Sequence, residues 1–210
     1  MKPKIIGPLG EEPVSVDEGR AHLEAQRYGD SDVDTIDDAM IAAWLQAARE
    51  HCEHFLGLSL STRTMEIALD QFPTSRRCGR GAREDIAVEL PGGPVREIVS
   101  ISWGDDSDAE LAAADFVLDT YREPAAVSPV SASWPSVAVA TNAVKIRYLG
   151  GYGVDTDGGE PMPALFRAAM LLVLGHLFEN RSENTEAALA ALPLGVEALL
   201  RPSRVRLGMA

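Results

Sequence analysis

Cysteine is scarce in this sequence. The 210 residues contain only two, Cys52 and Cys78. Two cysteines cannot form the framework of several disulfides that stabilises small secreted proteins, so a reducing compartment is the expected setting. The amino-terminal residues also lack the apolar segment of a secretory signal peptide. We therefore expect the chain to fold around an ordinary hydrophobic core, for which its 46% of hydrophobic residues is sufficient.

Long hydrophobic runs and positive charge are also in short supply. The longest apolar run, residues 168–174, is far shorter than the roughly 20 residues that span a bilayer. The formal net charge is −13, whereas nonspecific binding to duplex DNA depends on clustered Lys and Arg. Only residues 161–210 are slightly basic, with five basic and four acidic side chains. These features argue against a membrane or nonspecific DNA partner and predict surfaces that meet other proteins by charge complementarity.

A glycine-rich stretch, RYLGGYGVD at 147–155, matches neither common phosphate-binding motif. A P-loop requires Lys followed by Ser or Thr, and the dinucleotide fingerprint opens a helix directly. Residues 155–160 contain three acidic side chains, whose charge would repel phosphate. We interpret Gly150, Gly151 and Gly153 as a tight turn after the last strand, where glycine can adopt a positive φ. No cofactor is expected.

Two further patterns could hold a metal ion. His51 and His54 are three residues apart on a predicted helix, but zinc sites need three or four protein ligands. Cys52 lies on the apolar stripe of that helix, away from both imidazoles. Residues 105–110 lack the glycine and the final glutamate that a calcium loop requires, and we interpret them as a hairpin tip. We predict no metal and no catalytic residue. A metal-dependent or hydrolytic enzyme that uses the His51/His54 helix remains the alternative function.

Capping residues and apolar periodicity predict the helices. Ser15 begins a short helix, and Thr35 begins a longer one that Gly57 ends. A third helix runs from 163 to about 180, and shorter helical segments are predicted within 184–200. Apolar residues surround nearly the whole circumference of the third helix, which predicts burial on all sides.

The longer helix carries two apolar stripes. The first contains Ile41, Leu45, Ala48, Cys52 and Phe55. The second contains Ile36, Met40, Trp44 and Ala47. Two stripes imply two packing partners. We predict that the second stripe is a subunit interface with another copy of the chain.

Residues 61–160 differ in character from the flanking helices. Short alternating or β-branched runs occur there between turn-forming segments, at 62–69, 86–90, 95–103, 116–118 and 143–149. The predicted fold class is α+β. Its helical bundle combines two N-terminal helices with C-terminal helices (14–60 and 161–200), and the insertion is a small antiparallel β module (61–160). An extended N-terminal arm at 1–13 and a basic C-terminal tail at 201–210 complete the chain.

Five blocks in order resemble the tailed-phage head–tail connector (adaptor) family, the group related to the connector of the lambdoid phage HK97. They cover most of residues 13–206. The blocks are PVSVDEGRAHLE (13–24), DDAMIAAWLQAAREHCEHFLGLSL (37–60), SASWPSVAVATNAVKIRYLGGYG (131–153), PMPALFRAAMLLVLGHLFENR (161–181) and LPLGVEALLRPSRV (192–205). Gene transfer agents carry the same kind of protein. The basic loop at 74–85 has no counterpart in the family.

The resemblance implies a structural role in the neck of a phage or phage-like particle that is assembled in the bacterial cytoplasm. Family members form a ring, usually of twelve copies, that bridges the portal to stopper or tail proteins. DNA passes through the centre of the ring. We expect the acidic surface to line this channel without binding the DNA. The C-terminal segment reaches toward the portal. The expected docking residues here are Arg201, Arg204, Val205, Arg206 and Leu207.

Overall fold

The computed structural model separates the chain into two compact units. It describes residues 3–26, 37–74, 86–104, 109–131, 133–153, 160–180 and 194–205. The unit that we call the β unit comprises 1–10, 62–152 and 205–210. The unit that we call the helical unit comprises 11–61 and 153–204.

Eight strands in two antiparallel sheets form the described part of the β unit. The larger sheet has the order β1-β2-β8-β4-β5, and the smaller has the order β3-β7-β6. The strands are β1 (Lys4–Ile5), β2 (Arg63–Leu69), β3 (Val88–Leu90), β4 (Val95–Trp103), β5 (Ala109–Glu110), β6 (Phe116–Asp119), β7 (Ala125–Pro129) and β8 (Val144–Gly150).

Alternation along the strands assigns one face of the larger sheet to the core. In β8, Val144, Ile146 and Tyr148 are fully buried, while Arg147 between them is exposed. Arg147 instead donates from Nε to Glu66 on β2 at 2.7 Å. A period of two along a half-buried strand therefore separates apolar from charged side chains, as the sequence predicts.

Aromatic side chains contribute to the core of the β unit. The Phe72 ring stacks on Trp134 with centroids 4.7 Å apart, and Trp103 meets Phe72 edge-on at 6.0 Å. The indole nitrogen of Trp134 donates to the carbonyl of Ile86 at 2.6 Å, so its one polar atom is satisfied. These contacts join segments that are far apart in the sequence.

Four α-helices form the described part of the helical unit. They are α1 (Val16–Gln26), α2 (Asp38–Leu56), α3 (Ala164–Glu179) and α4 (Leu194–Leu200). The N-cap of α2 is Asp37, whose carboxylate accepts from the amide of Ala39, so the prediction that Thr35 begins this helix is wrong. Gly57 ends α2 in the left-handed conformation, with φ of 73°, as predicted.

The predicted fold class, a helical bundle with a small β insertion, is wrong. The described residues form eight strands in two sheets with a core of their own, so the β part is no minor insertion. Of the described helices, α2 and α3 are long, at 19 and 16 residues, whereas α1 and α4 have 11 and 7. β7 lies between the predicted strands at 116–118 and 143–149, in a stretch assigned to turn-forming segments, yet it is the central strand of the smaller sheet.

A buried arginine connects three segments of the helical unit. The side chain of Arg49 on α2 is 4% exposed. Its Nε donates to both carboxylate oxygens of Glu12, at 3.1 and 2.9 Å, and its NH1 donates to Glu53 at 3.0 Å. Glu53 also accepts from the amide of Leu60 at 2.9 Å. These bonds attach the segment before α1 and the segment after α2 to α2 itself.

Candidate interaction surfaces

The second apolar stripe of α2 is only partly covered within one copy. Met40 is 49% exposed, and Ala47 is half-buried. Trp44 contacts Phe178 of α3 edge-on, with ring centroids 6.1 Å apart. Ile36 lies outside the described residues. The surface that a second copy could cover therefore centres on Met40 and Ala47, because the Trp44 ring already has a partner in its own chain.

The third helix is buried on one side and exposed on the other. Eight of its sixteen residues are buried, but Leu165 and Leu172 are each 38% exposed, and Ala168 between them is exposed too. Spacings of three and four residues place these three on one face of α3. The prediction was burial of α3 on all sides. The described residues of a single copy do not achieve this burial. Within them, no helix is long and apolar enough to cross a membrane.

The basic tail is anchored at its base. A 3-10 turn, Arg201–Ser203, follows α4, and NH2 of Arg201 lies 3.8 Å from the Glu197 carboxylate. The guanidinium of Arg204 lies over the Phe55 ring, 5.3 Å from its centroid, in cation–π geometry. Val205 is half-buried. Arg206 and Leu207, the other two predicted docking residues, lie outside the described residues.

The histidines of α2 do not gather a set of metal ligands. No group of three or more His, Cys, Asp or Glu side chains with suitable geometry occurs among the residues that the structure describes. Burial lowers the pKa of His51, the neighbouring His54 imidazole lowers it further, and the Glu197 carboxylate partly offsets both effects. Cys52 is fully buried, and this burial raises the pKa of its thiol to about 12. The expectation that Cys52 lies on the apolar side of α2 is confirmed.

The glycine stretch is a turn, as predicted. Gly151 has a φ of 102°, which side chains other than glycine rarely adopt, and its amide donates to the carbonyl of Pro94 at 2.8 Å. A Cβ atom at Gly150 would lie 2.6 Å from Cε of Met65. The amide of Gly153 donates to the carbonyl of Glu160 at 3.0 Å. The glycines thus serve backbone geometry and close packing.

The two charged loops are described only in part. Residues 105–108 lie outside the described residues, but β5 pairs antiparallel with β4 through Ser102–Glu110 and Trp103–Ala109. This antiparallel pairing agrees with a hairpin, but Ala109 and Glu110 belong to its second strand and not to its tip. Residues 75–85 of the basic loop also lie outside the described residues.

Two features of the β unit have no clear signal in the sequence. Tyr121, in the turn between β6 and β7, is fully exposed. An open groove of about 380 Å³ is lined by Ile98, Val99, Leu111 and Phe116, and Glu110 also lines it. The groove borders two β-bulges in β4, where the pairing with β8 skips Arg96 and Val99. Bulges depend on long-range pairing, which sequence periodicity does not report.

Three solved structures contain chains with a similar fold. In the neck of an empty gene transfer agent (GTA) particle, computed with C6 symmetry, the matching chain is 23% identical with a TM-score of 0.71. In the virion of a native GTA particle the values are 24% and 0.70, and in the neck of a native GTA particle, computed with C12 symmetry, 24% and 0.66. Each match covers 100% of this chain and 99% of the other.

Searches of family models and of curated proteins found no match. At these levels of identity, the likeness to the GTA chains shows a common fold. The match extends over both units, since it spans both chains almost completely. The fold predicted from composition and periodicity was wrong, whereas the resemblance found in the sequence blocks points to the same kind of particle as the structural neighbours.

Proposed function

We propose that this chain is a non-enzymatic head–tail connector (adaptor) subunit in the neck of a phage or phage-like particle. The full-length similarity to chains in GTA necks is the observation that carries the proposal. The five sequence blocks also support it, because they point to the same place in the particle. The histidines of α2 offer no competing site, since the described residues provide no third ligand.

The proposed assembly is a ring of twelve copies between the portal and the stopper or tail proteins. Neck structures with similar chains were computed with C6 and C12 symmetry. A ring needs interfaces between copies, and the exposed apolar surfaces of α2 and α3 could supply them. DNA passes through the centre without specific binding, because a chain of net charge −13 repels the phosphate backbone.

The subunit interface is proposed to include the second stripe of α2, Ile36, Met40, Trp44 and Ala47. Met40 is the most exposed of its described members, while Trp44 packs edge-on against Phe178. Leu165 and Leu172 on α3 offer a second apolar face in the same unit. Ring assembly would bury both faces and complete the burial that the composition of α3 predicts.

The C-terminal tail is proposed to dock on the portal through Arg201, Arg204, Val205, Arg206 and Leu207. The structure offers an anchored base for this, because Arg204 stacks on Phe55 and α4 ends at the buried Leu200. The Arg201 side chain is 76% exposed and can reach an acidic partner surface. Beyond this base, basic and apolar residues alternate in the sequence. In an extended segment they would contribute charged and apolar contacts to the same portal surface.

Removing residues 206–210 is expected to abolish attachment to filled heads while leaving the fold intact. This truncation retains every contact described above, including the Arg204–Phe55 stack. Attachment is measured by co-sedimentation of the purified chain with filled, tailless heads, and the fold by circular dichroism. The matched control retains the tail but carries Val139→Ser, which changes an exposed residue of the β unit. Full attachment of the truncated chain would refute docking through the tail.

The chain is expected to be present in purified particles at twelve copies, a number suggested by the C12 neck. Quantitative mass spectrometry with isotope-labelled reference peptides measures the ratio of this chain to the portal protein. A ratio near one supports a ring matched to a twelvefold portal. Absence of the chain from particles that contain every other structural protein would reject the proposed function.

A further inference from the structure

Tyr121 lies in the turn between β6 and β7. Its side chain is fully exposed and packs against none of the other residues that the structure describes. The turn is held in place because the Tyr121 amide donates to the Asp119 carboxylate at 3.0 Å. A large aromatic group presented in this way is typical of residues that contribute strongly to protein interfaces. Arg122, next in the sequence, is exposed as well.

The groove bordered by β4 has the character of a receptor for such a side chain. Ile98, Leu111 and Phe116 are partly buried and pack against the core, so the floor of the groove is fixed. Val99, which is 53% exposed, forms one wall. A volume of about 380 Å³ falls within the range of pockets that hold small organic groups. Ser100 and Glu110 add polar groups to the lining.

The groove and Tyr121 lie at opposite ends of β6. Phe116 begins this strand and lines the groove, whereas Tyr121 lies two residues beyond its last residue, Asp119. The strand between Phe116 and Asp119 extends by about 10 Å, at roughly 3.3 Å per residue. Tyr121 therefore cannot enter the groove of its own copy in this structure.

We propose that Tyr121 of one copy inserts into the groove of the next copy around the ring, with Arg122 paired to Glu110. This inference rests on the proposed function, which supplies the ring. An interface between two different surfaces of the same chain is heterologous, and such interfaces close into rings when the rotation between copies permits. The charge of Arg122 agrees with this occupant, because Arg122 would meet the Glu110 carboxylate that lines the groove. Of the two acidic residues in the same turn, Asp119 accepts from the Tyr121 amide, and the pairing requires Glu123 to face away from Glu110.

Photo-crosslinking in assembled particles tests the contact. Tyr121 is replaced by p-benzoylphenylalanine, which keeps an aromatic ring, and purified particles are irradiated and analysed by peptide mass spectrometry. The expected product joins position 121 to residues 98–116 of a second copy. Crosslinks to another segment, to another protein, or to nothing would overturn the inference. If the wild-type chain is missing from the neck, the proposed function itself fails, so the two failures are distinguishable.

Charge reversal gives a second, independent test. Glu110→Arg and Arg122→Glu, each alone, are expected to lower incorporation into particles about tenfold or more, since each places like charges opposite each other. The double variant is expected to restore incorporation, because it re-creates the pair with the signs exchanged. Tyr121→Phe should retain incorporation, whereas Tyr121→Ser should lose it. Val139→Ser, elsewhere on the β unit, is the neutral control. Single reversals without effect, or a double variant without rescue, would overturn the pairing.

Discussion

Replacing Arg49 by methionine is expected to destabilise the helical unit by about 3–5 kcal/mol. The guanidinium is almost completely buried and donates to Glu12 and Glu53. Methionine fills similar space but leaves both carboxylates without their cation. Glu53 cannot simply turn to solvent, because its side chain is only 14% exposed and also accepts from the Leu60 amide. Removing one partner of a buried ion pair therefore destabilises the fold strongly. Replacing the whole pair by apolar residues, in contrast, often changes stability little.

Amide hydrogen exchange of α2 measures this effect without assuming that both units unfold together. Protection in peptides covering Asp38–Leu56 should fall strongly in the Arg49→Met variant. The matched control is Arg167→Met, which removes the half-exposed pair with Glu18 and should cost about 1 kcal/mol or less. Equal losses of protection in the two variants would contradict the role assigned to Arg49.

Replacing Met40 by aspartate is expected to abolish ring assembly while leaving the subunit folded. Met40 is 49% exposed in a single copy, so the carboxylate meets solvent there and the fold tolerates it. In the proposed ring the same position is buried against a neighbouring copy. An unpaired carboxylate in that interface costs several kcal/mol per copy, and the cost is repeated at every interface of a closed ring.

Electron microscopy of particles from cells that express only the variant measures the assembly. The control is Ala42→Asp, an exposed position two residues along α2 and therefore on nearly the opposite side of the helix. We expect rings with the control and none with Met40→Asp, at equal circular dichroism for both soluble chains. Normal rings with Met40→Asp would show that the second stripe of α2 is not a subunit interface.

Local chemistry explains which parts of the fold could be predicted. The end of α2 at Gly57 follows from the left-handed conformation that glycine permits, and β2, β4 and β8 follow from alternation along each strand. These signals depend only on residues close in the sequence. The N-cap of α2 was misplaced because two acidic residues follow Thr35 closely and either can cap.

Long-range pairing explains what could not be predicted. The two-residue strands β1 and β5 are too short for any periodicity to appear, and their pairing with β2 and β4 makes them strands. β7 reads AAVSP, a segment of low β propensity, yet it lies buried between β3 and β6. The groove beside β4 likewise arises from bulges that only the pairing with β8 defines.

The interaction surfaces also divide into features that local sequence signals predict and features that depend on long-range contacts. Helical periodicity located Met40 and Ala47 on one stripe of α2, and the structure places both at least partly at the surface. Trp44 belongs to the same stripe, but its partner, Phe178, is distant in the sequence and could not be inferred. Tyr121 carries no periodic signal because it lies in a turn, where exposure is decided by the course of the hairpin.

The most direct test of the proposed function is electron microscopy of the particle neck with this chain labelled. A small tag can be attached at the amino terminus, leaving the C-terminal tail free for the portal. We predict label density in a closed ring between the portal and the tail, with twelve copies of the chain. Particles that contain every structural protein but show no label at the neck would contradict the account.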